Sequence, residues 1–89
     1  MELYVSNVEE RILVFLVGNE LYGLEIIDAT NLSVGSVYPA LHKLEIKGLI
    51  CSRWDSERLE ERDYNRRRYY TATELGKQTL GNIQQSRLK

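Results

Sequence analysis

Apolar residues recur at helical spacing in the first part of the chain. Val8, Ile12 and Phe15 fall on one side of a helix. Ser6 and Glu9 match the capping-box pattern, a hydroxyl followed three residues later by a glutamate, which marks a helix start. A glycine-asparagine pair then ends the segment. The pattern predicts a first amphipathic helix between these two signals.

Two more helical segments follow. The first is predicted from Tyr22 to Ala29, and the second contains apolar residues at positions 37, 41 and 44. Gly48 stands where a helix favours a left-handed cap. Pro39 has no N–H to donate, so we expect it in the first turn, with the regular helix beginning near Ser36 or with an irregular first turn.

The remaining residues predict a strand pair and a fourth helix. Residues 49–54 and 68–73 are rich in β-branched, aromatic and other apolar side chains and are interpreted as paired strands. The charged segment 55–67 between them is interpreted as a long hairpin tip, with a helical turn at 57–63 as the alternative. The last helix is expected to begin at Thr73, or at Thr71 if the competing capping box is used.

This order of elements predicts an α+β, mostly helical fold. Three helices, a two-stranded hairpin and a further helix are the arrangement of a winged helix-turn-helix domain, although periodicity alone leaves other folds open. Residues 1–89 are expected to form one such domain, with a core over 1–72 and a C-terminal dimerisation helix over 73–89. The glycines at 76 and 81 weaken that helix, so it needs a surface on which to pack.

Composition narrows the classes of function. The 89 residues (10.4 kDa) suffice for one small core. A single cysteine, Cys51, and a single histidine, His42, exclude an internal disulfide and an ordinary zinc site. The longest apolar run is too short for a membrane span, and the first residues do not resemble a signal peptide. We therefore expect a cytoplasmic protein without a metal or other cofactor and without a membrane partner.

The charge is distributed unevenly along the chain. The formal net charge is −1, but residues 1–52 carry seven acids and three bases, whereas residues 53–89 carry six acids and nine bases. A nearly neutral chain can therefore present a basic face, which is the property that a phosphate backbone responds to.

Several motifs in a fixed order resemble those of PadR-type transcriptional regulators, over about residues 10–80. The strongest likeness is in the third predicted helix. The matching stretches are 22–27 (YGLEII), 33–45 (SVGSVYPALHKLE), 48–50 (GLI), Trp54, 67–70 (RRYY) and 73–76 (TELG). The chain is similar to the small, single-domain subclass of that family.

The resemblance implies a sequence-specific regulator, most simply a homodimeric repressor on a palindromic operator in double-stranded DNA. The third helix would enter the major groove, the wing would approach the neighbouring backbone, and the last helix would pair the protomers. Many members of the family sense a small aromatic or drug-like molecule, so an effector at the dimer interface is a further expectation.

On the third helix, five residues are candidates for DNA contact. Gly35 would let the backbone approach closely, Ser36 could donate to a phosphate or a base, or only cap the helix, and Tyr38 could touch a thymine methyl group. His42 and Lys43 extend this face, the lysine being long enough to reach a phosphate. The alternative for each is an ordinary surface or packing role.

Further candidates lie on the second helix and the wing. Tyr22 could donate to a phosphate from the helix start. Because side chains alternate along a strand, Arg66 and Arg68 would face together on one side and Arg67 on the other. We predict that the first two contact the backbone, unless they pair with acids of the hairpin tip, which carries four acids over residues 56–65.

Dimerisation is predicted to use the first helix and the partner's last helix. The candidate residues are Val8, Ile12, Phe15, Leu80, Ile83 and Leu88. A catalytic role is not expected, since one histidine and no glycine-rich phosphate loop leave no catalytic set to assemble. The main alternative is a winged helix that binds a protein through its third-helix face, which the net charge and the acidic hairpin tip favour.

Overall fold

A computed structural model describes residues 4–55 and 67–88. The predicted hairpin tip at 55–67 lies outside the described residues, except for its two end positions. Four helices and a three-stranded sheet follow one another along the chain. Their bounds are α1 Asn7–Leu16, β1 Leu21–Tyr22, α2 Gly23–Thr30, α3 Val34–Ile46, β2 Ile50–Trp54, β3 Arg68–Ala72 and α4 Glu74–Arg87.

Side-chain caps set the starts of α1 and α4. At α1 the predicted capping box is present, because the Glu9 N–H donates to Ser6 Oγ and the Ser6 N–H donates to Glu9 Oε1, each at 3.1 Å. At α4 the cap is Thr73, whose hydroxyl oxygen accepts the Gly76 N–H at 3.1 Å. The alternative start at Thr71 is wrong, since that hydroxyl donates to the carbonyls of residues 16 and 19 instead.

The predicted start of α3 is also wrong by two residues. Ser33 is the N-cap, and its side chain accepts the Ser36 N–H at 3.2 Å, so the helix begins at Val34. Pro39 therefore lies in the second turn, where its missing N–H leaves the Gly35 carbonyl without a helical partner. Gly35 is exposed to solvent, which keeps the cost of that lost hydrogen bond small.

The end of α3 turns the chain directly into the wing. Gly48 has φ +77°, and its N–H donates to the Glu45 carbonyl while the Leu49 N–H donates to the Leu44 carbonyl, each at 3.0 Å. This pair of bonds is a Schellman motif, which requires the left-handed conformation that glycine adopts at little cost. The predicted cap is confirmed, and β2 begins two residues later.

The sheet is antiparallel with the order β1-β3-β2. The pairing of β2 with β3 is the predicted hairpin, with Ile50 opposite Ala72 and Trp54 opposite Arg68. The third strand, β1, was not predicted from the sequence. It is only two residues long and runs directly into α2, so it has no periodicity of its own.

One apolar core lies between the helices and the inner face of the sheet. Its members come from every element except β1, and the central ones are fully buried. They are Ile12, Leu13, Leu16, Ile26, Val37, Ala40, Leu41, Leu44, Leu49, Ile50, Tyr70, Ala72 and Leu80. Burial of the Tyr70 ring raises the pKa of its hydroxyl, since the charged form would lose hydration. In the described part of the chain, no helix is long and apolar enough to cross a membrane.

Candidate nucleic-acid interface

The third helix presents two different faces. Val37, Leu41 and Leu44 are buried in the core. The predicted contact residues lie away from it, because they occupy the intervening helical positions. Gly35, Tyr38, His42 and Lys43 are exposed and Ser36 is half-buried. The structure therefore brings these five candidates onto the outward side of one helix.

The first turn of α3 combines a cap with a free donor. The Ser33 hydroxyl donates to Ser36 Oγ at 3.1 Å, while the same Ser33 oxygen accepts the Ser36 N–H. Ser36 is thus an acceptor within this pair, which leaves its own hydroxyl proton available for an external acceptor. The cap predicted for Ser36 belongs to Ser33 instead.

Tyr38 joins α3 to the start of α2. A Cβ on Gly23 would lie 2.2 Å from the Tyr38 hydroxyl oxygen, so the glycine makes room for this ring. The Tyr38 side chain nevertheless keeps 44% of its surface exposed. One edge of the ring therefore packs against the domain while the rest stays open, and the packing and contact roles considered from the sequence are compatible.

Lys43 is a cation available for an external partner. It is exposed on α3, and within residues 4–55 and 67–88 it forms no ion pair. Lys47, one turn further along, is engaged instead, since its ammonium group lies 2.7 Å from Glu9 Oε1 and 2.5 Å from the Tyr4 carbonyl. Lys43, within α3, is therefore available to an external partner, whereas Lys47, the C-cap of α3, is used within the protomer.

The outer face of the sheet carries arginines stacked on tyrosines. Tyr22 and Tyr69 meet edge to face with ring centroids 5.7 Å apart, and the Arg67 guanidinium lies 4.6 Å from the Tyr22 centroid. Arg53 lies over Tyr69 and forms a two-bond pair with Glu20 at 2.6 and 2.7 Å. That hydrogen-bonded pair lowers the pKa of Glu20 and raises the pKa of Arg53.

Arg68 lies on the inner face of the sheet. Arg67 lies on the outer face, so the two point to opposite sides, as strand alternation predicts. The Arg68 guanidinium donates to both oxygens of Glu45, at 3.1 and 3.3 Å, and to Ser52 Oγ at 2.9 Å. Among the described residues, its acidic partner is therefore Glu45 of α3, and the acids of the hairpin tip at 56–65 lie outside the described residues. The sequence did not indicate Glu45 as this partner, because the two residues are 23 positions apart and no local pattern joins them. Arg66 lies outside the described residues.

The six predicted dimerisation residues fall into two groups. Ile12 and Leu80 are buried in the protomer's own core, where they face α-helical neighbours of the same chain. Val8 and Ile83 are half-buried, while Phe15 and Leu88 are exposed, the latter with 86% of its surface open. A partner could therefore contact Val8, Phe15, Ile83 and Leu88, which all keep some exposed surface.

The fold and the outward face of α3 define a winged helix-turn-helix domain of the kind that binds DNA. A family model described as the transcriptional regulator PadR-like family matches residues 12–82. The chain belongs to this family, and the resemblance noted in the sequence is confirmed. Its function class is transcription regulation by DNA binding, not catalysis.

Solved structures agree with this assignment. A PadR family transcription regulator from Clostridium difficile R20291 is 30% identical with a TM-score of 0.78, covering 91% of this chain and 86% of that one. A PadR-like transcription factor from Bacteroides fragilis is 26% identical with a TM-score of 0.76, covering 89% and 78%. A comparison with curated proteins found no match.

A third structure contains DNA. Bacillus subtilis PadR in complex with operator DNA is 26% identical to this chain, with a TM-score of 0.74. The match covers 86% of this chain but only 46% of that protein. The likeness therefore concerns the winged-helix part of a chain about twice as long.

Proposed function

We propose that this protein is a homodimeric, sequence-specific repressor that binds a palindromic operator with α3 in the major groove. The observation that carries this proposal is the outward face of α3, which lies opposite a buried apolar face. It presents hydrogen-bonding side chains and Lys43, which forms no ion pair with any described residue. A helix exposed in this way can reach base edges from its first turns. The proposed compartment is the cytoplasm.

In this proposal the exposed residues of α3 contact different parts of the DNA. Ser36 and Tyr38 in the first turns contact base edges or thymine methyl groups, and Gly35 allows the backbone to approach. His42 extends the same face, and Lys43 contacts a phosphate. Support comes from the exposure of all of these residues except the half-buried Ser36, and from the operator complex of the Bacillus subtilis relative.

Two contacts outside α3 complete the proposed footprint. Tyr22 is the N-cap of α2, so it stands beside backbone N–H groups that favour an anion. Arg66 is proposed as a phosphate contact of the wing on the basis of the sequence alone. A small-molecule effector and a protein partner for the α3 face stay predictions.

Replacing Lys43 by glutamine tests the placement of α3. If Lys43 contacts a phosphate, binding weakens by a similar factor on all duplexes, and the slope of log affinity against log salt falls by about 1. Fluorescence anisotropy at several salt concentrations measures both quantities. Lys77→Gln is the matched control, because Lys77 is an exposed lysine of α4 outside the proposed footprint. Equal effects of the two substitutions would contradict the placement.

A further inference from the structure

The contact between α3 and the wing contains a closed triangle of side chains. The Ser52 hydroxyl donates to Glu45 Oε2 at 2.6 Å, and Arg68 donates to both of these residues. Each oxygen of the carboxylate and the hydroxyl thus has a partner within the triangle. One residue belongs to α3 and the other two belong to neighbouring wing strands, so the triangle fixes the helix to both strands.

The triangle lies at the far end of the described wing. Arg68 is the first residue of β3 and stands opposite Trp54, the last residue of β2. Its guanidinium lies 5.6 Å from the ring centroids of Trp54 and of Tyr70. The near end of the wing is already fixed by the glycine turn after α3. A second attachment at the far end therefore limits rotation of the wing about that turn.

The same contacts argue against Arg68 as a direct phosphate contact. A phosphate close to the guanidinium would also approach Glu45, whose carboxylate is 3.1 Å away and carries a charge of the same sign as the phosphate. The side chains are 41% and 32% exposed, so their attraction contributes little to the stability of the fold. Arg68 donates from one terminal nitrogen to Glu45 and from Nε to Ser52, so the planar guanidinium is held in a defined orientation.

We infer that Glu45 and Arg68 are positioning residues for DNA binding, which hold the wing at a set angle to α3 and act on DNA through that angle. The inference rests on the proposed function, because it concerns how the wing and α3 meet the same operator. Arg68 then differs in role from the phosphate contact that its charge suggests.

The substitution Glu45→Ala separates the two roles by the sign of its effect. If Arg68 contacts phosphate, removal of a neighbouring acid frees the cation and tightens binding. If Glu45 positions the wing, its removal weakens binding, by about fivefold to tenfold for a residue that couples two elements. Glu20→Ala is the matched control, since it makes the same change of charge and breaks the Arg53 pair on the opposite face of the sheet.

The measurement uses a duplex that the wild-type protein enriches from a random-sequence pool, and a scrambled duplex of equal composition. We expect Glu45→Ala to lose affinity for the enriched duplex only, with an unchanged thermal unfolding midpoint, while Glu20→Ala binds like the wild type. Arg68→Ala should weaken binding without lowering the salt slope, whereas loss of a phosphate contact lowers the slope by about 0.9.

Three results would overturn the inference. Binding by Glu45→Ala that is equal to or tighter than wild type contradicts positioning, and so does a salt slope that falls in Arg68→Ala. In either case the proposed function still stands, because the wild-type protein binds. A wild-type protein that enriches no duplex contradicts the proposed function itself, and the inference fails with it.

Discussion

The two halves of α4 are alike in sequence but differ in their surroundings. Each contains one glycine among polar residues, and neither has a strong apolar stripe. In the first half, Gly76 and Leu80 are buried, and the backbone lies directly against Leu49. In the second half, Gly81 faces open space and Leu88 is almost fully exposed.

From this difference we infer separate roles for the two halves of α4. Its first half completes the protomer's core, because Leu80 and Gly76 pack where α1 meets the turn before β2. Its second half is joined to α1 by the ion pair between Arg87 and Glu10. That half offers Ile83 and Leu88 as surface for a second copy of the chain, which is the dimer contact that we propose.

The largest expected effect comes from Gly76→Ala. The added Cβ would lie 2.0 Å from the Leu49 carbonyl oxygen, which also accepts the Thr73 N–H, so the backbone must shift. Overpacking of this kind outweighs the helix propensity of alanine, and we expect a loss of about 3 kcal/mol in the free energy of unfolding. Urea denaturation measures it, and a stability equal to wild type would contradict the close packing.

The next largest effect is expected on dimerisation, from a substitution in the second half of α4. Ile83→Glu places a charge in the proposed apolar contact, and we expect the dimer dissociation constant to rise about 100-fold, or about 2.7 kcal/mol. Sedimentation velocity over a range of concentrations measures it. Gln84→Glu is the control, because it adds the same charge at an exposed neighbouring position. A wild-type protein that sediments as a monomer would refute the proposed contact.

Gly81→Ala should act in the opposite direction to the substitution at Gly76. No atom lies within 4 Å of the Cβ that would be added, and the residue is in a helix interior. Alanine should therefore stabilise the protein by about 1 kcal/mol through helix propensity alone. Thermal unfolding would show a rise in midpoint, and a fall would mean that this position is packed against a partner.

The smallest effect is expected from Glu10→Gln. It removes the charge of Glu10, which is 14% exposed, opposite an Arg87 side chain that is 60% exposed. The loss should therefore be about 0.5 kcal/mol and should become smaller at high salt. Denaturation at low and high salt measures the difference. A loss that is equally large at high salt would show that the pair supports α4 by packing instead of by charge.

Local signals made much of this fold predictable from the sequence. The hydroxyl caps at Ser6 and Thr73 and the glycine turn at Gly48 each act within a few residues, and all three were predicted correctly. The predicted start of α3 followed from Pro39 alone, whereas the Ser33 side chain caps the helix two residues earlier and places the proline in the second turn.

The features that could not be predicted from the sequence depend on contacts between residues far apart in the chain. Gly76 and Gly81 have the same helix propensity, and only the approach of Leu49 distinguishes them. The charge of Arg68 suggested a phosphate contact, whereas its pairing with Glu45 depends on how β2 and β3 fold back onto α3. Such pairings join residues far apart in the chain, so no short motif indicates them.

We propose that the outward face of α3 contacts DNA. The most direct test is binding of the wild-type protein to promoter duplexes from its own genomic neighbourhood and to random duplexes, at two salt concentrations. We predict salt-dependent binding that is tighter on a native promoter, and weaker for Tyr38→Ala on that promoter. A folded dimer that binds neither kind of duplex at low salt would contradict the claim.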